Sequence, residues 1–455
     1  MASLTAGSVY ASGSNIGYNN TSNGTYGMVI GSNNTAEAGA TSSFVLGDNN
    51  TVKKANSFAF GQGNVSDGEN SIVGGDKSKA VGRDTIAFGS SAQALTDYTI
   101  AVGSQARANG ENTIAFGNGS YASNMNATSI GRSTSATGIA STAVGYGNKA
   151  KNNYATAMGY QNVASGDQSS AFGSDNEVTA ANAVVVGNHS TASGEQSFVG
   201  GFKSKATNDS AVAVGNQATA SANHSLAIGT LAEANKGDSV AIGHSAIASG
   251  DLSTAIGSNA EAKDVNTIAI GAQSKVAGTS SIGIGRDNNI TGHNTTVIGA
   301  NNGTISYDAT TGAVTTDHTI TADQSAVFGY NNVVQDSSKE QLIFGSNSTT
   351  KEQGTVVVGS HSAATAIDAV ALGNNTVADV QNGVAIGTNS VTELAVGTTN
   401  IKDNTTDIRF SNSNYAGSNP DSVVSFGTNG RAGAGGVTSY TRQLQNLAAG
   451  RVSAT

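Results

Sequence analysis

Six histidines are the residues of this chain best suited to bind a metal ion, and they are scattered along it. They are His189, His224, His244, His293, His318 and His361. No two of them share a spacing that would bring their imidazole rings onto one ion, and the chain has no cysteine to supply a thiolate. We therefore expect neither a metal site nor a cysteine nucleophile.

Carboxylates and glycine-rich turns also lack a catalytic pattern. Glycoside hydrolysis needs a pair of carboxylates that face one bond, whereas Asp and Glu fall singly in turns of this sequence. Gly61-Gln62-Gly63 and Gly145-Tyr146-Gly147 share letters with phosphate-binding loops, but neither opens a helix. The sequence therefore predicts a protein that is not an enzyme and has no cofactor.

Residues that recognise other molecules do recur, at a spacing of fourteen. One series stands directly after glycines and is called the tyrosine ladder here: Arg132, Tyr146 and Tyr160. A second series, the basic ladder, stands four positions after glycines: Lys79, Gln93, Arg107 and Tyr121. Tyr and Arg are enriched at binding hot spots, so both ladders are candidate ligand surfaces. The alternative is that exposed positions accept any polar residue.

These ladders exist because glycine itself recurs with that period. Repeat glycines occupy every fourteenth position from Gly47 to Gly299 and again from Gly345 to Gly387. Such self-similarity is typical of a solenoid, in which each repeat forms one structural unit and stacks on the next. The composition agrees, because aromatic residues make up only 5% of the chain and would not fill a thick core.

The residues before each repeat glycine alternate between small and large. In Thr85-Ile86-Ala87-Phe88-Gly89, strand geometry places the small residues on one face and the large ones on the other. A second alternating stretch follows each glycine, with small residues such as Ala106 and Ala108. We therefore predict coils of two short strands and two turns, stacked in parallel. Their narrow interior should admit only Gly, Ala, Ser and Thr.

The large residues then form an outward apolar stripe along the first strand of each coil. The apolar stripe comprises Phe58, Phe60, Ile86, Phe88, Ile100, Val102, Ile114, Phe116, Val184, Val186, Val212, Val214, Leu226, Ile228, Ile268 and Ile270. Soluble monomers rarely expose apolar patches larger than a few hundred Å². Self-association in a closed ring is the usual solution, and the pattern alone leaves a dimer and a trimer open.

Charge and hydropathy restrict the remaining partners. A net charge of −9 and an isoelectric point near 5.1 argue against nucleic acid as a partner. The sequence shows no long apolar run and no signal-peptide pattern at its start. We expect any export signal and membrane anchor to lie outside this sequence.

Two motifs resemble those of a known family. Ser239-Val-Ala-Ile-Gly243, followed by Ala246 and Ala248, resembles the YadA-like head repeats of trimeric autotransporter adhesins. Thr441–Gly450 resembles that family's neck, matched at Arg442, Gln443, Leu444, Asn446 and Leu447. The resemblance implies a left-handed parallel β-roll, a homotrimer and a short helical neck that leads to a stalk. It also implies display at the bacterial cell surface by an outer-membrane domain that this chain lacks.

This resemblance gives a division of the chain and a function. Residues 1–396 are predicted as head repeats with an inserted hairpin at about 301–326, residues 397–436 as a connector, and 437–455 as the neck, whose helix should begin near Thr441. The predicted function is attachment to host cells, extracellular matrix or other bacteria. A trimeric tailspike-like solenoid that binds or hydrolyses polysaccharide is the alternative, and an ice-binding solenoid is disfavoured by the varied outward residues.

Overall fold

The computed structural model is a parallel β-solenoid. It describes residues 14–307, 314–317, 319–335, 339–396, 420–429, 439–443 and 445. Each coil of about fourteen residues contains a first strand of three to five residues and a second strand of two. Within the described residues all regular elements are strands. The prediction of an all-β solenoid of stacked coils is therefore confirmed. The chain divides into two compact units, residues 1–228 and 229–455.

In the first unit, equivalent strands of successive coils pair in parallel. Ile86 pairs with Ile100, and Lys79 with Gln93. The first strands are Ser14–Tyr18, Met28–Ser32, Phe44–Asp48, Phe58–Gln62, Ile72–Asp76, Ile86–Ser90, Ile100–Val102, Ile114–Phe116, Thr128–Arg132, Thr142–Tyr146, Thr156–Tyr160, Ser170–Ser174, Val184–Asn188, Phe198–Phe202, Val212–Asn216 and Leu226–Ile228. The second strands are Thr21–Ser22, Thr35–Ala36, Thr51–Val52, Val65–Ser66, Lys79–Ala80, Gln93–Ala94, Arg107–Ala108, Tyr121–Ala122, Ser135–Ala136, Lys149–Ala150, Val163–Ala164, Glu177–Val178, Thr191–Ala192, Lys205–Ala206 and Thr219–Ala220.

The second unit repeats this arrangement. Its first strands are Val240–Ile242, Thr254–Ile256, Ile268–Ile270, Ile282–Ile284, Thr296–Ala300, Ala326–Tyr330, Leu342–Ser346, Val356–Val358, Val370–Leu372, Val384–Ile386 and Val424–Ser425. Its second strands are Glu233–Ala234, Ile247–Ala248, Glu261–Ala262, Lys275–Val276, Asn289–Ile290, Thr319–Ile320, Val333–Val334, Thr349–Thr350, Ala363–Ala364 and Val377–Ala378. Two antiparallel pairs stand apart from the coils, Thr304–Tyr307 with Val314–Asp317 and Thr428–Asn429 with Ser439–Tyr440.

Small side chains fill most of the space between the two strands of a coil. Ala87 and Ala101 on first strands, and Ala94 and Ala108 on second strands, are fully buried. Many hydroxyl groups that share this space have local partners, as where Ser141 Oγ donates to the Gly138 carbonyl over 2.7 Å, whereas the buried hydroxyls of Ser253, Ser274 and Thr350 have no hydrogen-bond partner among the described residues. Buried polar groups need such partners to offset their desolvation.

The prediction that only Gly, Ala, Ser and Thr fit inside is wrong. Ile290, Ile320 and Ile343 are among the largest fully buried side chains, and several valines are also buried. At one of these coils the opposite position is a glycine, Gly283, where an added Cβ would lie 3.0 Å from Ile290 Cδ1 and 2.8 Å from Val276 Cγ2. A large residue on one strand is thus accommodated by the smallest residue on the other.

Buried asparagines form a further interior feature that the sequence reasoning missed. Asn148, Asn162 and Asn176 stand three positions after successive repeat glycines, inside the coil. The Asn162 amide donates to the carbonyl of Gly173 in the next coil, over 2.7 Å, and to that of Met158 in its own, over 2.9 Å. Its carbonyl oxygen accepts from the backbone and the side chain of Asn176. Because the spacing is again fourteen, the period alone could have revealed this ladder.

The turns have a period of seven. From Asn49 to Asn301 every seventh residue has a positive φ, and most of these residues are not glycine. In each coil, one residue with a positive φ stands two positions after the repeat glycine and begins the first turn. A second one stands nine positions after the glycine and lies in the second turn. None of these residues is β-branched, which agrees with the steric cost of this conformation for branched side chains.

The repeat glycines are required by close contact between coils. Gly145 has a φ of 118°, and a Cβ built on it would lie 2.1 Å from the carbonyl oxygen of Gly159. Any larger residue would therefore both strain the backbone and push the next coil away.

Two segments of the second unit depart from the regular coil. Gly299 pairs with Gly329, so the thirty residues between them are one coil of fourteen with sixteen inserted. The antiparallel pair Thr304–Tyr307 and Val314–Asp317 lies in this insertion. Val384 pairs in parallel with Val424, which places a further first strand within the range predicted as connector.

Candidate binding surface

All residues of the apolar stripe lie on first strands and face outward. None of them is buried within the chain, and Phe116 keeps 52% of its surface exposed. Neighbouring coils place their aromatic rings in contact, as in Phe44 and Phe58, whose ring centroids are 5.1 Å apart. The stripe thus forms stretches of apolar surface along successive first strands, in agreement with the strand alternation. Its role as a trimer core stays a prediction.

Two glycines interrupt the stripe in different ways. At Gly74 the ring of Phe60 leans over the backbone, and a Cβ added there would lie 2.3 Å from Phe60 Cζ. This lets Phe60 reach Phe88 two coils away, with ring centroids 5.3 Å apart. At Gly200 the nearest side chains, Phe198 and Val214, lie 3.6 Å from an added Cβ, so the surface there has an unfilled dimple.

The tyrosine ladder lies at the end of three successive first strands, beside the first turn. Arg132 pairs with Tyr146, and Tyr146 pairs with Tyr160. The Arg132 guanidinium lies 5.8 Å from the centre of the Tyr146 ring, and the two tyrosine rings stack at 5.2 Å with an interplanar angle of 8°. Tyr146 and Tyr160 remain 39% and 46% exposed. The structure therefore brings these three side chains into one exposed stack.

The basic ladder follows successive second strands. Lys79 pairs with Gln93, Gln93 with Arg107, and Arg107 with Tyr121. Arg107 also lies over the Tyr121 ring, with its Cζ 5.8 Å from the ring centre. Lys79 and Arg107 are exposed, whereas Gln93 and Tyr121 are half-buried. Because second strands carry their outward residues on another side of the coil, this ladder is separate from the tyrosine ladder.

A third surface cluster was not anticipated from the sequence. Arg83 lies at the second turn with its Cζ 5.1 Å above the Tyr98 ring and donates a hydrogen bond to the Tyr98 hydroxyl. Its side chain also lies 3.6 Å from Asp84 and 3.9 Å from Asp97, both partly exposed. The fourteen-residue period could have revealed this cluster in the sequence. Arg83 and Asp97 stand eight positions after repeat glycines, and Asp84 and Tyr98 stand nine positions after them.

The histidines do not converge. Within the described residues no three groups of His, Cys, Asp or Glu lie close enough to hold a metal ion. His293 accepts a hydrogen bond at Nδ1 from the backbone N–H of Thr279 over 3.0 Å, so it has a local structural contact. His318 lies outside the described residues.

Arg442, predicted as part of the neck, contacts the last coils of the second unit. Its guanidinium donates to the carbonyl of Phe426 over 2.6 Å, to Ser390 Oγ over 2.7 Å and to the carbonyl of Thr388. It also lines an open cavity of about 450 Å³ together with residues that include Leu394 and Thr428.

The predicted neck helix is not among the described elements. Residues 441–443 and 445 have no helical structure, and Ser439–Tyr440 is a strand, so the expected helix start near Thr441 is not observed. Gln443 is exposed, whereas Leu444, Asn446 and Leu447 lie outside the described residues.

Comparison with known proteins identifies the repeat. The model of the YadA head domain repeat matches residues 38–64, 53–78, 80–106, 108–134, 122–148, 136–162, 150–176, 179–204, 206–232, 234–260, 248–274, 262–288 and 364–390. These segments cover more than half of the chain. A search among curated proteins gives no significant match.

Among the described residues, no helix is long and apolar enough to cross a membrane.

Proposed function

Because the chain belongs to the YadA head repeat family, we propose that it is the head of a bacterial surface adhesin, without catalytic activity. YadA heads are surface-exposed adhesin domains, so attachment is the function that the family match supports. The observation that carries the proposal is the exposed, regular array of outward residues on a solenoid with thirteen matched segments.

The proposal includes assembly as a homotrimer through the apolar stripe. Side chains such as Phe88, Phe116 and Val186 expose about half of their surface in the isolated chain. Burying a large apolar side chain contributes roughly 1.5 to 3 kcal/mol, and the stripe repeats over many coils. Three copies around one axis would cover one stripe each and leave none exposed.

We place this trimer in a trimeric autotransporter. Arg442, Gln443, Leu444, Asn446 and Leu447 would form a neck that leads to a stalk and then to an outer-membrane anchor. Bacterial cell-surface display by such type V secretion would present the head to host cells, matrix proteins or other bacteria. Weak contacts repeated over three chains would give avidity without one deep pocket.

The tyrosine ladder and the basic ladder are the proposed contact surfaces. Tyr146 and Tyr160 offer large, rigid and half-exposed rings, which suit a binding hot spot. Replacing both by Ser should weaken attachment of bacteria that display the protein and leave its oligomeric state unchanged.

A matched control separates the ladder from general surface effects. Tyr154 is 61% exposed and lies at the second turn of the same coils, so Tyr154→Ser removes a similar side chain elsewhere. Attachment to matrix proteins and cells is measured for both variants. Equal attachment by all proteins would exclude the ladder as the contact surface, and turnover of a surface glycan would instead favour a polysaccharide-degrading function.

A further inference from the structure

The tyrosine ladder ends at Tyr160 with one ring face that the chain leaves open. One face of this ring stacks on Tyr146 with an interplanar angle of 8°. The opposite face points along the stack to the next coil, where the paired residue is Ser174. A serine side chain is too short to cover a phenol ring, and the neighbouring Gly173 is also exposed.

The chain's own arginines show what such a ring accepts. All three arginines of the first unit's described residues, Arg83, Arg107 and Arg132, lie over tyrosine rings, at 5.1, 5.8 and 5.8 Å from the ring centres. A planar guanidinium stacks on an aromatic face and is attracted by its quadrupole. Tyr160 therefore presents the same kind of acceptor, and no arginine or lysine of the described residues lies over its ring.

A carboxylate, that of Asp175, stands next to the residue that pairs with Tyr160. Asp175 follows Ser174 directly, and its backbone N–H donates to the Tyr160 carbonyl over 2.9 Å. One oxygen, Asp175 Oδ2, accepts from Ser174 Oγ over 2.6 Å, which orients the group. The same oxygen lies 3.9 Å from His189 Nε2, and it would also supply negative charge to a cation stacked on Tyr160.

The spacing of coils leaves room for a planar group above Tyr160. Tyr160 and Asn188 occupy equivalent positions two coils apart, about 9.6 Å at the usual separation of strands. A guanidinium placed halfway would lie about 4.8 Å from Tyr160, close to the separation of the two stacked tyrosine rings. The slot also lies at the strand end beside the first turn, at the margin of the apolar stripe.

We propose that Tyr160, Ser174 and Asp175 form a slot that binds an arginine side chain of the protein to which this chain attaches. The inference rests on the proposed function, because it names the chemistry of the partner at the tyrosine ladder. The stack Arg132, Tyr146, Tyr160 then continues with an arginine from outside. Three slots in a trimer would favour a partner with repeated arginines.

The test uses the full chain and an immobilised Gly-Ser peptide with spaced arginines. Matched peptides carry lysine, which keeps the charge but is not planar, or citrulline, which keeps the plane but is neutral. The arginine peptide should bind about fivefold more tightly than the lysine peptide, and the citrulline peptide should bind weakest. Equal binding of arginine and citrulline peptides would overturn the slot.

Variants locate the binding. Tyr160→Ser and Asp175→Asn should each weaken arginine-peptide binding by about fivefold, whereas Tyr154→Ser should leave it unchanged. Ser174→Arg places a guanidinium from the chain itself in the slot and should abolish peptide binding, while it leaves the Tyr146–Tyr160 stack and the Asp175 carboxylate in the chain. Circular dichroism and sedimentation confirm that each variant keeps its fold and assembly. Undiminished binding by Ser174→Arg would contradict the proposal.

The two proposals can fail separately. If the ladder variants lose cell attachment but the arginine peptide does not bind, the slot is refuted while the adhesive role of the ladder stands. If the peptide binds in the slot but Tyr160→Ser bacteria attach normally, the slot stands and its assignment as the attachment surface fails.

Discussion

At the scale of single residues, the coil depends on positions that tolerate few substitutions. The repeat glycines combine a positive φ with close contact to the next coil, and the buried asparagines join neighbouring coils through their amides. A larger residue at a repeat glycine would clash with the backbone of the next coil. Loss of a buried asparagine would leave backbone carbonyls without a hydrogen-bond donor. Outward residues are free of these demands, which explains why they vary from coil to coil.

Gly145→Ala should lower the free energy of unfolding by at least about 2 kcal/mol. The added Cβ would lie 2.1 Å from the Gly159 carbonyl oxygen at a φ of 118°, so strain and steric repulsion add. Gly200→Ala is the matched control, since its Cβ meets no atom closer than 3.6 Å, and its effect should stay within about 0.5 kcal/mol. Urea denaturation at one protein concentration compares them, and equal effects would contradict the argument.

Asn162→Ala should cost about 1 to 3 kcal/mol of unfolding free energy. The substitution leaves the carbonyls of Met158 and Gly173 and the amide groups of Asn176 without this partner in a dry interior. Asn118→Ala, on an exposed position after a repeat glycine, should change the stability by less than about 0.5 kcal/mol. The same urea titration measures both variants, and a harmless Asn162→Ala would show that the ladder is dispensable.

At the scale of elements, the period predicts strands, faces and register well. It correctly placed Ala87 inside and Phe88 outside, and it aligned Arg132 with Tyr146 and Tyr160, because a fixed period determines which residues pair. The period did not predict the size of interior residues where a large side chain on one strand of a coil faces a small one on the other strand.

Ile290 opposite Gly283 illustrates why the remainder could not be predicted. The size of an interior residue depends on its neighbour across the coil, and a pattern read along one strand does not contain that pairing.

The Arg83–Tyr98 contact was missed for another reason, because only positions close to the repeat glycine were compared. The final first strand, Val424–Ser425, follows a long interval that breaks the counting of periods.

Arg442→Ala should loosen the last coils of the second unit. The guanidinium is the donor to the Phe426 carbonyl and to Ser390 Oγ, and hydrogen bonds from charged groups are stronger than neutral ones. Amide hydrogen exchange at Val384 and Val391, whose N–H groups bond to this region, should accelerate about tenfold. Gln443→Ala, at an exposed neighbour, should leave exchange unchanged. If both variants accelerated hydrogen exchange equally, the effect would not be specific to Arg442.

At the scale of the whole molecule, solubility and assembly are linked. The chain has a net charge of −9 but few charged residues, 12% of the total, and its apolar stripe is uncovered in the isolated chain. Charge alone keeps proteins apart only weakly at physiological salt, where charges are screened beyond about 8 Å. Association through the stripe is therefore the expected state in solution.

Phe88→Ser together with Phe116→Ser should shift the proposed trimer toward monomer. Each phenylalanine is about half exposed in the isolated chain, and burial of such a side chain contributes roughly 1.5 to 3 kcal/mol. Sedimentation velocity over a range of concentrations measures the shift. Tyr121→Ser, on the outward side of a second strand, should not alter assembly. A wild-type chain that sediments as a soluble monomer would refute the trimer.

Pairing between equivalent positions one period apart also has a genetic consequence. A deletion or duplication of fourteen residues leaves every surviving residue beside an equivalent neighbour, as Gly145 is beside Gly159. Unequal crossing-over between repeats would therefore change the number of coils without creating a new interface. A frame-preserving change that is not a multiple of fourteen residues would exchange inward and outward residues or misalign the turns. Selection can thus act on the copy number of coils independently of the residues they display.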